Sequence, residues 1–276
     1  MMRSLWTAAS GMRAQQVNVD TIANNVANIN TIGYKSQQAS FKSLLYQNLQ
    51  STSTNNAGEN KPVAAEVGLG SRVAAITSTF TQGNLTHVEN PFSVALEGDG
   101  FFQIRTQSGE LQYTRDGSFE ISPVANGNML CTSDGNPVLD AYGNAIVLPS
   151  NRVATDLVVN QDGTLAFPDA SGNPAVLTDA NGRPVKFGIY QFNNPAGLSK
   201  EGSNNYSVTA ASGAAVAENG NAAVKQTKTH QYYTEASNVD VANEMVNLIV
   251  AQRAYEMNSK AIQASDEMMQ QANALR

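Results

Sequence analysis

Counting from Leu5, apolar residues recur every seven positions at Leu5, Met12, Val19 and Val26, with Ala8, Gln15, Ile22 and Ile29 three places on from each. Four heptads of this kind predict a long helix with a coiled-coil stripe, about 45 Å long over thirty residues. Gly33 follows the stripe and is expected to cap the helix in the left-handed conformation. The other end repeats the pattern at Val241, Leu248, Tyr255, Ile262 and Met269, widened by Met245, Ala251, Gln252 and Met268. Ser237 and Asn238 are its N-cap candidates, and Asp240 and Glu244 stand where the helix dipole favours acids. Neither terminal helix can bury its apolar face alone. The two are therefore expected to pair into one domain that is discontinuous in sequence.

Between the ends the period falls to two. The stretches "FSVALEGDGFFQIRT", "LQYTRDGSFEIS" and "VKFGIYQF" alternate and carry aromatics, as antiparallel strands do. Turn signals recur at Asp99-Gly100, Asp116-Gly117, Asp134-Gly135 and Asp162-Gly163. A weak repeat runs through "SDGNPV", "DAYGNAI", "DASGNPAV" and "DANGRPV". Residues 47–66, "QNLQSTSTNNAGENKPVAAE", are polar and read as a linker or extended arm. The expected fold is α+β and multidomain: 1–34 with 236–276 as the helical coiled-coil domain, 35–92 with 186–235 as a connecting β-rich domain that includes the arm, and 93–185 as a central all-β domain.

Composition sharpens this. Charged residues make up 14% of the 276-residue chain, well below the roughly 25% usual in soluble proteins. The 30 Asn and 18 Gln outnumber the 40 charged residues, giving a surface that hydrogen-bonds without repelling its own copies. A net charge of −6 argues against nucleic acid or an anionic membrane as partner. The ends differ in sign: residues 1–36 carry Arg3, Arg13 and Lys35 against Asp20, while residues 235–276 carry three cations against six acids. Cys131 is the single cysteine, so no intrachain disulfide can form. No apolar run reaches the ~20 residues of a membrane span, so membrane insertion is not expected. The first residues lack the apolar core of a cleaved secretory signal.

Candidate chemistry is sparse. His87 and His230 stand apart with no nearby Cys or second His, so no zinc spacing exists. The Asp-Gly pairs each offer one carboxylate and read as turns rather than calcium loops. "GLGSR" at 68–72 and "GDG" at 98–100 are too short for phosphate loops. A carboxylate pair for glycoside hydrolysis could be drawn from Glu97, Asp99, Asp116 and Glu120 only arbitrarily. Cys131 has no partner for nucleophilic catalysis. Neither enzyme activity, a cofactor nor a metal is expected.

"LWTAASGMRAQQVNVDTIANNVANINTIGYKSQQASFKSLLYQ", with its Ala-Asn-Asn-x-Ala-Asn block and Thr-x-Gly-Tyr-Lys, resembles the N-terminus of the bacterial flagellar rod and hook protein family. "EGDGFFQI" with "YTRDGSF" resembles the family's central block, and "EASNVDVANEMVNLIVAQRAYEMNSKAIQASDEMM" its C-terminal helix. The three blocks keep the family's order and cover about half the chain; residues from about 121 to 234 match no motif. "FKSLLYQ" and the polar arm before "VGLGSRV" resemble the distal rod branch.

The resemblance implies a non-catalytic axial subunit of the basal body that polymerises into a straight, rigid helical tube and transmits torque from motor to hook. Implied partners are further copies of itself, the hook and proximal rod proteins, the bushing rings around the rod, and the flagellar type III export apparatus that carries it out of the cytoplasm to the periplasmic rod. The expected self-assembly surface is Leu5, Met12, Val19, Ile22, Asn24, Asn25, Val26, Asn28 and Ile29 with Val241, Met245, Leu248, Gln252, Tyr255, Ile262 and Met269. Its asparagines are read as amide hydrogen-bond partners that fix helix register. Rival readings are a hook or proximal rod subunit, a cell-wall hydrolase, and a monomeric binding module on a helical hairpin.

Overall fold

The computed structural model describes residues 2–50, 65–124, 127–150, 152–168, 174–179, 182–220 and 224–274. The fold class is α+β, with two long helices at the ends and antiparallel strands between them. The chain separates into two compact units: unit 1 is Met1–Ala27, Gln37–Ser78 and Asp240–Arg276, and unit 2 is Asn28–Ser36 and Thr79–Val239.

In unit 1, helix α1 spans Met2–Ala27. Strand β1, Gln37–Ser43, pairs antiparallel with β4, Ser71–Ser78, and β2, Tyr46–Gln50, pairs with β3, Ala65–Gly68. The polar arm is therefore rooted in a hairpin at both of its ends, while its residues 51–64 lie outside the described residues. The last helix, α2, spans Val241–Ala274. Its N-cap is Asp240, two positions beyond the expected Asn238. The Asp240 carboxylate accepts from the Ala242 and Asn243 amides at 3.0 and 3.4 Å, satisfying donors that a helix start leaves open.

Helix α1 ends at Ala27, so Gly33 does not close it. A turn follows instead, in which the Thr31 amide donates to the Asn28 carbonyl at 3.2 Å and the Thr31 hydroxyl to Asn28 Oδ1 at 3.1 Å. Asn side chains compete with helical backbone bonds in this way, which is why the apolar spacing alone overruns the end. Gly33 serves the turn: its φ is +69°, and a Cβ there would stand 2.9 Å from the Arg115 backbone.

Unit 2 is built on a six-stranded antiparallel sheet in the order Ser199–Gly202, Asn205–Ser207, Leu111–Thr114, Phe101–Arg105, Ile189–Gln191, Val216–Ala217. The alternation in "GFFQI" sends successive side chains to opposite faces. Phe102 and Ile104 enter a large core with Leu96, Phe119, Leu130, Leu148, Leu165 and Phe187. Phe101 enters a second core with Tyr113, Phe192, Leu198 and Tyr206. The Asp-containing turns are side-chain capped: Asp116 Oδ1 accepts from the Ser118 amide at 2.9 Å, and Asp140 Oδ1 from the Tyr142 and Asn144 amides, both at 2.8 Å. Residues 121–234, which carried no recognisable motif, supply most of the larger core.

One buried ion network ties the places where the chain enters and leaves unit 2. Lys35 Nζ donates to Glu235 Oε1 at 2.6 Å and to the Thr81 carbonyl at 2.8 Å. Arg115 contributes NH1 to Glu235 Oε2 at 3.3 Å and NH2 to the Gly98 carbonyl at 2.7 Å, and its guanidinium lies 5.0 Å over the Phe101 ring. The Gly83 amide adds a further bond to Glu235 Oε1 at 2.8 Å. Lys35, Arg115 and Glu235 are each at most 2% exposed. Beside them the Gly33 amide donates to the Glu235 carbonyl at 2.8 Å, and the Ser36 amide to Asn238 Oδ1 at 2.7 Å.

Candidate assembly surface

Helices α1 and α2 of unit 1 run antiparallel in a register set by three contacts. Ser4 and Ser265 hydroxyls meet at 3.2 Å, a Cβ on Gly11 would stand 2.9 Å from the Asn258 amide, and Asn25 Nδ2 donates to Glu244 Oε1 at 3.3 Å. Each step of seven or fourteen residues along α1 is matched by an equal step back along α2. Small and polar residues thus occupy the closest line of approach, where bulky ones would hold the backbones apart.

The apolar heptads lie mostly beside this line. Leu5, Met12, Val19 and Val26 are half-buried, and so are Leu248, Ile262 and Met269; Ile22 is buried. Val241, Met245, Gln252 and Tyr255 are exposed, as is Asn24. Asn28 and Ile29 fall past the helix end, in the turn of unit 2, and are half-buried. Val19, Gln252 and Tyr255 do come together, lining a groove of about 450 Å³ with Gln16 and Glu256. Asn25, only 1% exposed, exchanges two 2.8 Å bonds with the Gln37 backbone, Nδ2 to the carbonyl and the amide to Oδ1. Its amide holds the start of β1 and the start of α2 on one point of α1. Partial burial pushes the Glu244 carboxyl up, the Asn25 bond opposes that, and Asp240 adds to the rise.

Two apolar surfaces lie outside the heptad reading, which reached only Met268 among them. On α2, Val246, Val250, Met257 and Met268 are at least half exposed. Three of them, Val246, Met257 and Met268, follow each other at eleven-residue steps. That spacing is the signal a seven-residue count passes over. On the other side, Trp6, Ala9, Ala14 and Val17 of α1 form a second groove of about 450 Å³ with Leu44, Leu69 and Val73, edged by Arg13 and Arg72. Leu45, Tyr46 and Leu49 of the hairpin are likewise exposed. Among the described residues no group of three His, Cys, Asp or Glu is placed to hold a metal. No described helix is long and apolar enough to cross a membrane.

Residues 5–35 match the family described as "Flagella basal body rod protein", residues 95–167 the "Flagellar hook protein FlgE/F/G D1 domain", and residues 230–275 the "Flagellar basal body rod FlgEFG protein C-terminal". Over 100% of this chain and 99% of the relative, the chain is 43% identical to the flagellar basal-body rod protein FlgG of Borreliella burgdorferi. The chain belongs to the flagellar basal-body rod family.

Two further relatives span it almost end to end: FlgG of Caulobacter vibrioides at 38% identity over 100% of both chains, and FlgG of Bacillus subtilis at 35% over 98% of both. The family places this rod protein among the structural subunits of the flagellar basal body. In a rod protein, long helices that spend their closest approach on Ser, Gly and Asn leave their larger side chains for other contacts. A stable monomer exposes large contiguous apolar patches only rarely.

Proposed function

We propose that this structural subunit of the flagellar distal rod polymerises through the apolar helix faces of unit 1 into a straight, rigid helical tube that carries torque from the motor to the hook. The observation that carries the reading is the row Val246, Val250, Met257 and Met268, exposed on a 34-residue helix while unit 2 closes two cores of its own. Removing a Val or Met side chain from water is worth about 1.5–3 kcal/mol, so a few per copy make assembly cooperative. Contacts between unlike faces of successive copies need not close and generate filaments.

In this proposal the paired helices extend into a coiled coil shared among copies, with Leu5, Met12, Val19, Ile22, Asn24, Asn25 and Val26 facing Val241, Met245, Leu248, Gln252, Tyr255, Ile262 and Met269, and with Asn28 and Ile29 adding to the surface from the turn beyond α1. We further divide the chain into the helical part, a connecting β-rich part at 35–92 with 186–235, and a central β part at 93–185. The partners are the hook and proximal rod proteins at the two ends of the tube, the bushing rings around it, and the flagellar type III apparatus that exports the subunit to the periplasmic rod. The role is mechanical, without catalysis.

Electron microscopy of the purified chain under polymerising conditions tests the reading. Straight tubes are expected; no polymer at all overturns it, and peptidoglycan turnover by the purified chain overturns the non-catalytic assignment. The match of residues 95–167 to a family named for the hook favours a hook subunit as second reading, and curved tubes would select it.

A further inference from the structure

The groove beside Trp6 has the size and chemistry of a receptor for a helix. Its lining is apolar except for Ser10, Ser71 and two arginines, Arg13 and Arg72, and it includes no carboxylate. Trp6 itself, the only tryptophan of the chain, is 73% exposed. From Trp6 to Val17 the groove follows α1 for eleven residues, about 16 Å at 1.5 Å per residue.

Helix α2 carries a ridge of the same length and opposite charge. Met257, Ala261, Ala264 and Met268 are exposed at spacings of four, three and four, so they share one face. Two methionines bracket two alanines, leaving room for an indole between them, and the thioethers favour aromatic neighbours. Residues 256–268 hold Glu256, Asp266 and Glu267 against Lys260, a net of −2. Glu256 is spent on Arg253 at 3.1 Å, while Glu267, three residues from Ala264, has no ion-pair partner among the described residues. The N-terminal half of the row, Val246 to Val250, lacks acids and does not complement the arginines.

We propose that the Trp6 groove of one copy receives the Met257–Met268 face of α2 from a second copy, with Trp6 seated over Ala261 and Ala264 and Glu267 facing Arg72. This rests on the rod reading and names the contact that propagates it. It is a helix-in-groove contact, anchored by side chains at i, i+4, i+7 and i+11. Because groove and ridge are different surfaces, each copy offers one of each, so the contact repeats without closing.

Mixed single-cysteine chains test it, since the native Cys131 is buried. Trp6→Cys chains are mixed with Ala264→Cys chains, assembled, oxidised and run without reductant. A cross-linked dimer that appears in the assembled mixture, and not in either chain alone or before assembly, is expected. Charge reversal gives a second readout that does not depend on cross-linking geometry. Arg72→Glu and Glu267→Arg should each raise the critical concentration for assembly about tenfold, and the double variant should return it toward the original. Both side chains are exposed, so the folded chain survives each change. Wild-type yields of straight tubes from both single variants would overturn the contact while leaving the rod reading intact. Failure of the unsubstituted chain to polymerise would overturn the rod reading and the contact with it. A groove filled by a segment of its own chain would give no mixed cross-link and no charge-swap recovery.

Discussion

Lys35 exchanges its water shell for one carboxylate and one carbonyl. Burial pushes its pKa below the ordinary lysine value, and the Glu235 carboxylate opposes that fall. Removing one member of such a pair strands the other without water, a loss usually worth about 3–5 kcal/mol. Glu235 keeps Arg115 and the Gly83 amide when Lys35 is lost, so Lys35→Met should lower the stability of unit 2 by less than that, about 1–3 kcal/mol, read as the shift of its denaturant midpoint at unchanged slope. A loss below about 1 kcal/mol would show that the network carries little of the fold. The Gly-Tyr-Lys motif pointed to this lysine as a family marker, but nothing in the sequence linked it to Glu235, two hundred residues away. Asn25 was legible as an amide with a purpose. Its backbone partner at Gln37 was not, because that bond depends on how the chain turns after Ala27.

At the scale of elements, both helices were visible from periodicity, and so was the strand character of "GFFQI" and "LQYT". The helix boundaries were less so. Local side chains set them: Asn28 with Thr31 at one end and Asp240 at the other. The seam itself lay one position from the counted stripe on α1 and three positions from it on α2. Heptad counting follows large apolar residues, whereas two antiparallel helices in close contact select Ser4, Gly11, Asn258 and Ser265 for their size. Partial burial of Glu244 at this seam makes the pairing sensitive to pH. Glu244 has a raised pKa in the folded chain, so folding favours its protonated form, and stability rises as pH falls through that raised value. Glu244→Gln keeps an acceptor for Asn25 without the charge. It should give a small rise in the thermal midpoint of the helix pair at neutral pH, fading as pH falls through the raised Glu244 value and gone below the ordinary glutamate value of about 4.3. An effect that persists unchanged into acid would assign the gain to something other than ionisation.

For the whole molecule, the two units have different demands. Unit 2 buries its aromatic clusters and needs no second chain to do so. Unit 1 leaves Trp6, Leu45, Met257 and their neighbours in water. Val250→Asp should separate the two cases. The site is exposed, so the stability of the single chain should stay within about 0.5 kcal/mol, while straight tubes disappear. Tubes of normal yield from this variant would move the assembly surface elsewhere. The central domain was the least legible region in the sequence. Beyond "GFFQI" and "LQYT", its short strands of two to five residues are joined by capped turns, and too few side chains alternate in them to reveal a period.

Glu235 and Asn238 receive hydrogen bonds from Gly33 and Ser36, which brings the entry and the exit of unit 2 side by side. A domain whose ends meet is a guest in its host chain, and insertions of this type are tolerated because the host need not span any distance to accommodate them. The β domain can therefore be exchanged as a cassette, longer or shorter, at these two joints. Hybrid subunits that keep the helices of one relative and the β domain of another are therefore expected to fold, with the denaturant midpoint of the β domain close to that of its parent chain.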